Sequence, residues 1–518
     1  MQTLSALLAA GAARDPSAPA ITDDQGTLDW AGFAARVEGI TAQLHAAGAC
    51  PGERVALWLP NSADYLGAIF ACARLGALAI HVNTRFRAME VGSLLARSRA
   101  SVLVTEWGFG PVDFPAILAG LSAEEHAALR MVIGRNLPDG VADVASVLAQ
   151  QLAPSGSVPD AATPASPCLT FTTSGTTSGP KLVMHEQRSI TMHAADVMRR
   201  LRLDAPGSAL LAALPLCGTF GNVAAMAAVC GGAHLVCMNR FDGPVAVSLM
   251  RRHRVSHTAG TDDMLERIVK AADGQRFDTV RCFCFASFHA GAAAIAAAAD
   301  ALGLQPHGVY GSSEVQALFS ISEGGNRLLG GGRPVSEAAE LSIRDPATGA
   351  ILPHGESGEI CFKVPSRFAT YLDNDAAFAR AITPDGFFRS GDLGHLTPDG
   401  FVYEARLGDA LRLGGFMVNP EEIEGFLLTL PGVERAQVVA GRKGADLVPV
   451  AFVIGQAGAR LQEAALLAAC RDQIARFKVP GRIIALDAFP TTDSPNGRKI
   501  QRVRLREMAD ALLQEAAA

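Results

Sequence analysis

A loop of small polar residues offers the first groups suited to chemistry. It reads TTSGTTSGPK from Thr172 to Lys181, and its hydroxyls, backbone N–H groups and lysine could hold polyphosphate oxygens. The loop is not a Walker loop, because Pro180 precedes the lysine and Leu182 follows it, where a magnesium-binding hydroxyl would stand. Composition alone also permits a solvated surface loop. The candidate phosphate ligands are Thr173, Ser174, Gly175, Thr176, Thr177, Gly179 and Lys181.

A second motif, YGSSE at 310–314, combines an aromatic ring, a glycine, two hydroxyls and a carboxylate. The ring could stack on a base, and the glycine permits close approach of the backbone. The carboxylate is a hard oxygen ligand of the kind that Mg²⁺ prefers. The motif could therefore supply the metal ligand that the loop lacks, although by itself it could be a solvated turn. Its candidate residues are Tyr310, Gly311, Ser312, Ser313 and Glu314.

Three charged residues further along complete the candidate set. FRSGDLG at 388–394 places Asp392 between two glycines, where its carboxylate could accept both hydroxyls of a ribose, though such a sequence is often only a turn. Arg406 could add a ribose or phosphate contact, and TTDSPNGRKIQR at 491–502 places Lys499 beside a Pro-Asn-Gly turn. A lone arginine or lysine is ordinarily solvated, so each of these residues gains weight only from the others.

In this order the motifs resemble those of the adenylate-forming superfamily, which includes acyl-CoA synthetases, nonribosomal-peptide adenylation domains and firefly luciferase. The resemblance covers essentially the whole chain. TTSGTTSGPK is similar to the phosphate loop of that superfamily, YGSSE to its Y-G-x-[ST]-E motif, RSGDLG to its ribose-binding motif, and IARFKVP and NGRKI to its C-terminal motifs. The resemblance implies an AMP-forming acid–CoA ligase that uses ATP, Mg²⁺ and coenzyme A, activates a carboxylate as acyl-AMP and releases pyrophosphate.

The resemblance also implies a role for each candidate residue. Attack of a carboxylate on an α-phosphate brings two anions together, so catalysis depends on positioning and on positive charge near the phosphorus. Lys499, and Mg²⁺ held by Glu314, would supply that charge. The other implied contacts are Lys181 and the loop hydroxyls with the β- and γ-phosphates, Tyr310 with adenine, Ser313 with the α-phosphate, and Asp392 and Arg406 with the ribose.

A division into two domains is implied as well: a large N-terminal domain at 1–407 and a small mobile C-terminal domain at 408–518. Relatives rotate the small domain between their two half-reactions. Gly408 stands at the hinge position, where relatives often carry Asp or Lys, and glycine permits the φ/ψ change that a hinge needs. Gly414 and Gly415 would then face the pantetheine tunnel, unless they only form a hairpin turn.

The substrate pocket is predicted to be apolar. Amino-acid adenylation domains carry an Asp after a Phe to pair with the substrate ammonium, but here Gly221 follows Phe220. The segments 220–228 and 282–291 have few polar groups and suit a hydrophobic acyl or aryl acid. Gly218 stands where many relatives carry a histidine or an aromatic gate, which predicts a more open thiol path or acyl entrance. The predicted pocket residues are Phe220, Asn222, Val223, Ala286 and Ser287.

Three alternative functions stay open at this point. The acyl group could pass to the phosphopantetheine of a carrier protein instead of CoA. A luciferase-type oxygenase is disfavoured, because no apolar emitter-specific pattern can be picked out. A nucleotide-binding pseudoenzyme is opposed by the joint retention of Glu314, Asp392 and Lys499.

The elements between the motifs alternate in a way that predicts an α/β fold. Up to about residue 400, short runs rich in Val, Ile and Leu alternate with Ala-rich amphipathic stretches, as in RVALWLP, SADYLGAIFACARLG and ALAIHVN within 54–83. Such alternation is typical of largely parallel sheets covered by helices. Beyond that point, short strands between Asp-Gly and Gly-Gly turns, and then two helices, predict a small α+β domain.

Length, charge and cysteines limit the class of protein. A chain of 518 residues is expected to form more than one domain, and a formal net charge of -6 gives no reason to expect a nucleic-acid partner. The ten cysteines lie in apolar contexts without a C-x-x-C pair, and no secretory signal pattern opens the chain, so a cytoplasmic protein is expected. The expected partners are a small carboxylic acid and CoA, and a homodimer is left open.

One uncharged stretch could be mistaken for a membrane span. Residues 208–238 contain no Lys, Arg, Asp or Glu, and the stretch is long enough to cross a bilayer. Pro215, Gly218, Gly221 and the pair at 231–232 divide it, which predicts a buried strand, loop, helix and strand. No integral membrane segment is therefore expected.

Overall fold

The computed structural model describes residues 2–110, 112–135, 158–173, 181–286, 292–324, 327–328, 330–407, 411–413, 416–418, 420–443, 446–474, 478–494 and 497–515. Several predicted site residues lie outside these ranges, namely Ser174, Gly175, Thr176, Thr177, Gly179, Ser287, Gly408, Gly414 and Gly415. For Lys499 the backbone is described and the side chain is not. The predictions for all of these residues stay predictions.

Helices and strands are numbered in chain order. The helices are α1 (Leu4–Ala12), α2 (Trp30–Ala46), α3 (Ala63–Arg74), α4 (Ala88–Ser98), α5 (Phe114–Ala119), α6 (Gln187–Leu201), α7 (Thr219–Gly231), α8 (Gly243–Arg252), α9 (Asp262–Ala272), α10 (Ala292–Ala301), α11 (Asp375–Ala381), α12 (Pro420–Leu428), α13 (Glu463–Gln473) and α14 (Arg502–Glu515). The strands are β1 (Pro19–Asp23), β2 (Gly26–Asp29), β3 (Arg54–Trp58), β4 (Leu78–His81), β5 (Val102–Glu106), β6 (Met131–Arg135), β7 (Pro167–Thr172), β8 (Leu182–Glu186), β9 (Ala209–Ala212), β10 (His234–Cys237), β11 (His257–Thr261), β12 (Cys282–Ala286), β13 (Pro306–Ser312), β14 (Gln316–Ile321), β15 (Gly331–Pro334), β16 (Glu340–Arg344), β17 (Gly358–Lys363), β18 (Thr370–Tyr371), β19 (Phe388–Thr397), β20 (Gly400–Arg406), β21 (Leu411–Leu413), β22 (Phe416–Val418), β23 (Val433–Lys443), β24 (Asp446–Gly455), β25 (Arg482–Ala485), β26 (Thr491–Ser494) and β27 (Gly497–Ile500).

The chain divides into two compact units. The first comprises Met1–Ala286, Ala296–Glu340 and Phe362–Phe388, and the second comprises Ser287–Ile295, Leu341–Cys361 and Arg389–Ala518. The domain boundary expected between residues 407 and 408 stays a prediction.

Two largely parallel arrays of strands organise the first unit. One has the order β18-β8-β7-β4-β3-β5-β6, and the other runs β15-β14-β13-β12-β11-β9-β10-β1-β2. Strands β9, β11, β12 and β13 pair in parallel, so their carboxyl ends share one edge of the sheet. That edge carries the turn before Gly218, the end of β12 at Ala286, and the YGSSE motif. The predicted α/β fold with largely parallel, helix-covered sheets is confirmed.

The strand, helix and strand predicted within 54–83 are observed as β3, α3 and β4. Ser62 begins the helix, because its Oγ accepts the backbone N–H of Tyr65 at 3.1 Å and satisfies a donor that the first turn leaves free. Trp58, Tyr65 and Phe70 are almost completely buried. Alternating β-formers and an apolar helix between them thus produce a buried layered core, as the pattern predicts.

The uncharged stretch 208–238 forms β9, α7 and β10, as predicted. Strands β9 and β10 pair in parallel, and α7 is buried from Phe220 to Gly231. Among the described residues, none of the helices combines the length and apolar character needed to cross a bilayer. Most residues of the stretch are buried, which accounts for its lack of charged side chains.

The second unit is a mixed α+β structure. Strands β16, β17, β19 and β20 lie side by side in that order, and β23, β24 and β25 form a separate sheet. Alternate residues of β23 point to opposite faces of this sheet, so Val438 packs with α12 and α13 while Val439 packs with α14. Both helices expected in this region, α12 and α13, are observed.

Candidate active site

The phosphate loop connects β7 and β8 in the first unit. These strands are antiparallel, with Thr172 opposite Leu182, and the N–H of Thr173 donates to the carbonyl of Lys181 at 3.0 Å. Both ends of the loop are therefore fixed by strand pairing. The predicted phosphate ligands Thr173 and Lys181 lie opposite each other at its base.

The YGSSE motif forms the turn between β13 and β14. A Cβ at Gly311 would lie 2.6 Å from the Cα of Ala317 and 2.6 Å from the carbonyl oxygen of Gln316, so only glycine fits. The Oγ of Ser312 accepts the N–H of Glu314 at 3.3 Å. The tight turn and this hydrogen bond hold Glu314 beyond the end of β13.

Two buried histidines support the turn. The Nε2–H of His185 donates to the carbonyl of Ser313 at 2.8 Å, and that of His193 donates to the carbonyl of Ala317 at 2.8 Å. Burial lowers the pKa of His185 to about 4, so its ring is neutral near pH 7. On the other side, the Oγ of Ser313 lies 3.0 Å from the Oγ1 of Thr219 at the start of α7. Ser313 is therefore held from two directions.

Lys181 and Glu314 contact the same tyrosine. The hydroxyl of Tyr371 donates to the Oε1 of Glu314 at 2.9 Å, and the Nζ of Lys181 lies 4.6 Å from the centroid of the Tyr371 ring. The backbone N–H of Phe368 donates to the carbonyl of Glu314 at 2.7 Å. The structure thus brings the predicted phosphate-binding lysine and the predicted metal ligand together around one side chain.

The buried histidines predict how stability depends on pH. Burial lowers the pKa of His81 to about 3 and those of His185 and His257 to about 4. In an unfolded chain the pKa of histidine is about 6.5. The unfolded chain therefore binds more protons at acidic pH. Denaturant titrations should show a free energy of unfolding that falls from about pH 6.5 to about pH 4.

Replacing His185 tests this pH dependence. His185→Gln keeps a donor for the carbonyl of Ser313 but cannot titrate. The free energy of unfolding that is lost at acidic pH should therefore be smaller in this variant, by on the order of 2 kcal/mol. The exposed His45 provides the control, because His45→Gln should retain the wild-type dependence of unfolding free energy on pH. The same pH dependence in wild type and His185→Gln would show that His185 does not contribute to the loss of stability.

In the second unit, Asp392 and Arg406 lie opposite each other on β19 and β20. The Nε of Arg406 is 3.1 Å from the Oδ1 of Asp392, and its Nη1 donates to the carbonyl of Ser390 at 3.1 Å. The Asp392 side chain is 6% exposed and that of Arg406 is 58% exposed. The structure brings the two predicted ribose residues together as an ion pair with one buried and one exposed member.

A buried carboxylate, Glu359, anchors the chain just before Asp392. Its Oε2 accepts the Nε–H and Nη2–H of Arg389 at 2.9 and 2.6 Å, and its Oε1 accepts the N–H of Gly391 at 3.2 Å. The Oγ of Ser390 also donates to the carbonyl of Ile360 at 2.6 Å. These bonds hold the segment that carries Asp392 against β17.

The start of α7 explains why no acid follows Phe220. Gly218 is the residue that begins the helix, and a Cβ at Gly221 would lie 2.4 Å from the carbonyl oxygen of Pro215 and 2.9 Å from that of Leu214. The preceding loop is held in turn by Asn61, whose Nδ2 donates to the carbonyl of Leu214 at 2.8 Å. An aspartate cannot occupy position 221 unless this loop moves.

The other predicted pocket residues of α7 are buried. Phe220 is 8% exposed, and Asn222 is fully buried with its Nδ2 donating to the carbonyl of Leu216 at 3.2 Å. Val223 is buried, and Ala286 is partly exposed at the end of β12.

Tyr310, the predicted adenine contact, is 7% exposed, and its ring centroid lies 5.5 Å from that of Phe362.

A substitution at Gly221 should therefore destabilise the protein. Gly221→Ala introduces a methyl group against two carbonyls and should cost about 1–3 kcal/mol, as overpacking does. Gly39 offers a matched control, because it is a helical glycine with open space around its Cβ position; Gly39→Ala should be neutral or slightly stabilising. Thermal melting compares the two variants, and equal melting temperatures would contradict the steric argument.

Lys499 lies on the β26–β27 hairpin of the second unit. Its backbone pairs with that of Thr492, and the N–H of Gln501 donates to the carbonyl of Pro490 at 2.8 Å. The predicted catalytic lysine therefore stands on a regular strand. Its side chain lies outside the described residues.

In the described part of the chain, no group of three or more His, Cys, Asp or Glu side chains is arranged to hold a metal ion. Mg²⁺ does not require such a group, since it is commonly bound through one or two carboxylates together with substrate phosphates and water. Glu314, which contacts the same tyrosine as the lysine of the phosphate loop, fits that mode of binding.

A sequence model of the AMP-binding enzyme family matches residues 8–372, and a model of the AMP-binding enzyme C-terminal domain matches residues 422–495. The chain belongs to the AMP-binding enzyme family. This confirms the family resemblance and the prediction of an AMP-forming acid–thiol ligase. The role of each individual site residue stays a prediction.

Characterised relatives of this AMP-binding enzyme include CoA ligases. It is 29% identical to 2-hydroxy-7-methoxy-5-methyl-1-naphthoate–CoA ligase of Streptomyces carzinostaticus, over 98% of this chain and 93% of that protein. It is 30% identical to 2-succinylbenzoate–CoA ligase of Geobacillus kaustophilus, over 92% of each chain. Among solved structures, ATP-bound MatB from Rhodopseudomonas palustris is similar with a TM-score of 0.85 at 24% identity, covering 98% of this chain and 99% of MatB.

Three residues of this AMP-binding enzyme that contact the motifs were not predicted from the sequence: His185, Glu359 and Tyr371. Each contacts a motif residue from an element remote in sequence, so no short-range spacing identifies it. A weak signal existed for two of them. His185 and Glu359 are polar residues within the apolar strand sequences LVMHE and GEICFK, and a buried polar side chain in a strand needs a partner.

Proposed function

We propose that this AMP-binding enzyme is an ATP-dependent carboxylic acid–CoA ligase that acts on a hydrophobic acyl or aryl acid. The acid would form an acyl-adenylate with release of pyrophosphate, and the acyl group would then pass to coenzyme A with release of AMP. The arrangement of Lys181, Glu314 and Tyr371 beside the fixed base of the phosphate loop carries the proposal. The CoA ligases among its relatives support CoA as the acceptor.

In the first unit, the proposed contacts are with the phosphates, the metal ion and the adenine of ATP. Lys181 and the loop would hold the β- and γ-phosphates, and Ser313, fixed through His185, would contact the α-phosphate. Glu314 would hold Mg²⁺, which when bound neutralises phosphate charge. Tyr310 would contact the adenine. Rigid placement of these groups supports the proposal, because phosphoryl chemistry depends mainly on positioning and electrostatics.

The second unit would supply the ribose contacts and the catalytic lysine. Asp392 would accept the ribose hydroxyls, with Arg406 beside it, and Lys499 would stabilise the charge that develops at the α-phosphorus. We retain a boundary between residues 407 and 408 and a hinge at Gly408, which lies between the two matched family ranges. Gly414 and Gly415 would line the pantetheine path.

The proposal of a hydrophobic acid depends on the surroundings of α7. Position 221 has no room for a side chain, so the carboxylate that pairs with an amino-acid ammonium in related domains has no equivalent there. Phe220 and Val223 would provide apolar walls, while Gly218 would leave the entrance without a bulky side chain. Ala286 and Ser287 would complete the pocket. Apolar walls with few polar groups favour acyl or aryl acids over amino acids.

A panel of acids tests the proposal. Fatty, aryl and amino acids are each supplied with ATP and Mg²⁺, and pyrophosphate release is measured with and without CoA. We expect pyrophosphate with at least one hydrophobic acid, and a CoA thioester by mass spectrometry when CoA is present. Failure of every acid would contradict the proposal. Thioester formation on a phosphopantetheinylated carrier protein but not on CoA would favour the carrier-protein alternative. Light emission in the presence of oxygen would favour the oxygenase.

The ribose contact can be tested through the affinity for ATP. Asp392→Asn removes the charge that strengthens hydrogen bonds from the ribose hydroxyls, and should raise the KM for ATP about tenfold. Asp399, exposed at the turn of the same hairpin, is the matched control, because Asp399→Asn should leave that KM unchanged. Steady-state kinetics with an acid from the panel measures both. An unaltered KM in Asp392→Asn would rule out the contact.

A further inference from the structure

Tyr371 links two groups that lie far apart in sequence. Its hydroxyl donates to the Oε1 of Glu314 at 2.9 Å, and its ring faces the Nζ of Lys181 at 4.6 Å from the centroid. We propose that Tyr371 is a positioning residue that holds the carboxylate of Glu314 and the ammonium of Lys181 in one fixed arrangement for MgATP. The inference rests on the proposed function and extends it to a residue outside the recognised motifs.

The backbone holds Tyr371 firmly in place. Strand β18 pairs antiparallel with β8, with Tyr371 opposite Val183. The N–H of Leu372 donates to the carbonyl of Leu182 at 2.8 Å, so the tyrosine is bonded beside the strand that follows Lys181. On its other side the N–H of Phe368 donates to the carbonyl of Glu314 at 2.7 Å. The same short segment is therefore bonded to Glu314 and to Leu182, the residue that follows Lys181.

Packing fixes the ring as well. Tyr371 is 2% exposed, and its ring centroid lies 4.8 Å from that of Phe368. A ring enclosed in this way cannot turn freely, so the direction of its hydroxyl is set by the core. Glu314, on a surface turn, gains from Tyr371 an orientation that the turn alone would not impose.

The hydrogen bond from Tyr371 leaves Glu314 able to bind a metal ion. The Tyr371 hydroxyl donates to the Oε1 of Glu314, since an ionised carboxylate can only accept. One donated hydrogen bond uses only part of the acceptor capacity of a carboxylate, so Glu314 keeps oxygen lone pairs for a metal ion.

The ring and the hydroxyl have separable functions. The face of an aromatic ring attracts an ammonium group, which restrains Lys181, while the hydroxyl at the ring edge orients Glu314. Tyr371→Phe removes only the second function, and Tyr371→Leu removes both. If Tyr371 only stabilised the fold, its substitution would change ATP affinity by the same factor with and without Mg²⁺.

The test measures binding of ATP by titration calorimetry in excess Mg²⁺ and in excess EDTA, without any acid substrate. In the wild type, Mg²⁺ should strengthen ATP binding. In Tyr371→Phe that strengthening should shrink by about tenfold, the effect of losing one hydrogen bond to a charged group. Tyr371→Leu should in addition weaken binding in EDTA, because Lys181 loses its ring. Tyr65→Phe is the control, since Tyr65 is a buried tyrosine with its hydroxyl 2.5 Å from the Nδ1 of His81.

The outcomes distinguish this inference from the proposed function. A smaller Mg²⁺ effect in Tyr371→Phe, with Tyr65→Phe like the wild type, supports the positioning role even if no acid in the panel is activated. Wild-type Mg²⁺ dependence in both Tyr371 variants would overturn it, as would ATP affinity in the wild type that is indifferent to Mg²⁺. An equal change in Tyr65→Phe would reduce the effect to general packing and would also overturn it.

Discussion

Lys499→Ala should lower acyl-adenylate formation about a hundredfold to a thousandfold, the usual effect of removing one preorganised transition-state group. Thioester formation from synthetic acyl-adenylate and CoA should stay within a few-fold of the wild type. The reason is that, in the proposed mechanism, charge develops at the α-phosphorus only in the first half-reaction. Pyrophosphate exchange measures the first half-reaction, and thioester formation measures the second.

Arg498 provides the matched control for this experiment. It is the adjacent cation on the same strand, β27, so Arg498→Ala changes the charge of the hairpin by the same amount. We expect it to leave adenylate formation close to the wild-type rate. Equal loss of both half-reactions in Lys499→Ala, or an equal loss in Arg498→Ala, would contradict the assigned role.

Glu314→Gln should reduce adenylate formation by about a hundredfold or more and flatten its dependence on Mg²⁺ concentration. The amide has nearly the same shape, and the Tyr371 hydroxyl can still donate to its oxygen, so the turn is preserved. What is lost is the charge that, in the proposed role, would bind a hard cation. Rates of pyrophosphate release over a range of Mg²⁺ concentrations measure the effect.

A second glutamate serves as the control for charge. Glu323 lies just after β14, is 57% exposed, and pairs with Arg200 at 2.8 Å. Glu323→Gln should therefore retain the wild-type Mg²⁺ profile. If Glu314→Gln also retains it, the metal is held elsewhere and the proposed role of Glu314 is wrong.

Much of the fold could be predicted from local patterns. The strand, helix and strand within 54–83, and those within 208–238, follow from runs of β-formers and apolar helical stretches bounded by Gly, Pro and Ser. Such signals are local, because they arise from backbone sterics and from the two periodicities of 3.6 and 2. Sheet order is not local in this sense, and the position of β18 beside β8 could not be read from the sequence.

The candidate site divides in the same way. The motif residues Lys181, Glu314, Asp392 and Lys499 could be picked out because each stands in a short stretch with the right residue types. His185 and Glu359 leave only a weak signal as polar residues in apolar strands, and Tyr371 leaves none, since their partners lie 128, 32 and 57 residues away. Hydrogen bonds of that span exist only after the strands have paired.

The sequence by itself determined the family and the α/β fold class, and it predicted which residues carry the charges and hydroxyls proposed for adenylation. Only the tertiary structure decided how those groups are held. Gly221 shows the difference. In the sequence, a glycine in place of an aspartate after Phe220 disfavours an amino-acid substrate. The structure adds that a Cβ at this position would lie 2.4 Å from the carbonyl oxygen of Pro215, so that no side chain fits there. Tyr371 shows it again, because a side chain becomes a link between two motifs only when close packing brings it to both.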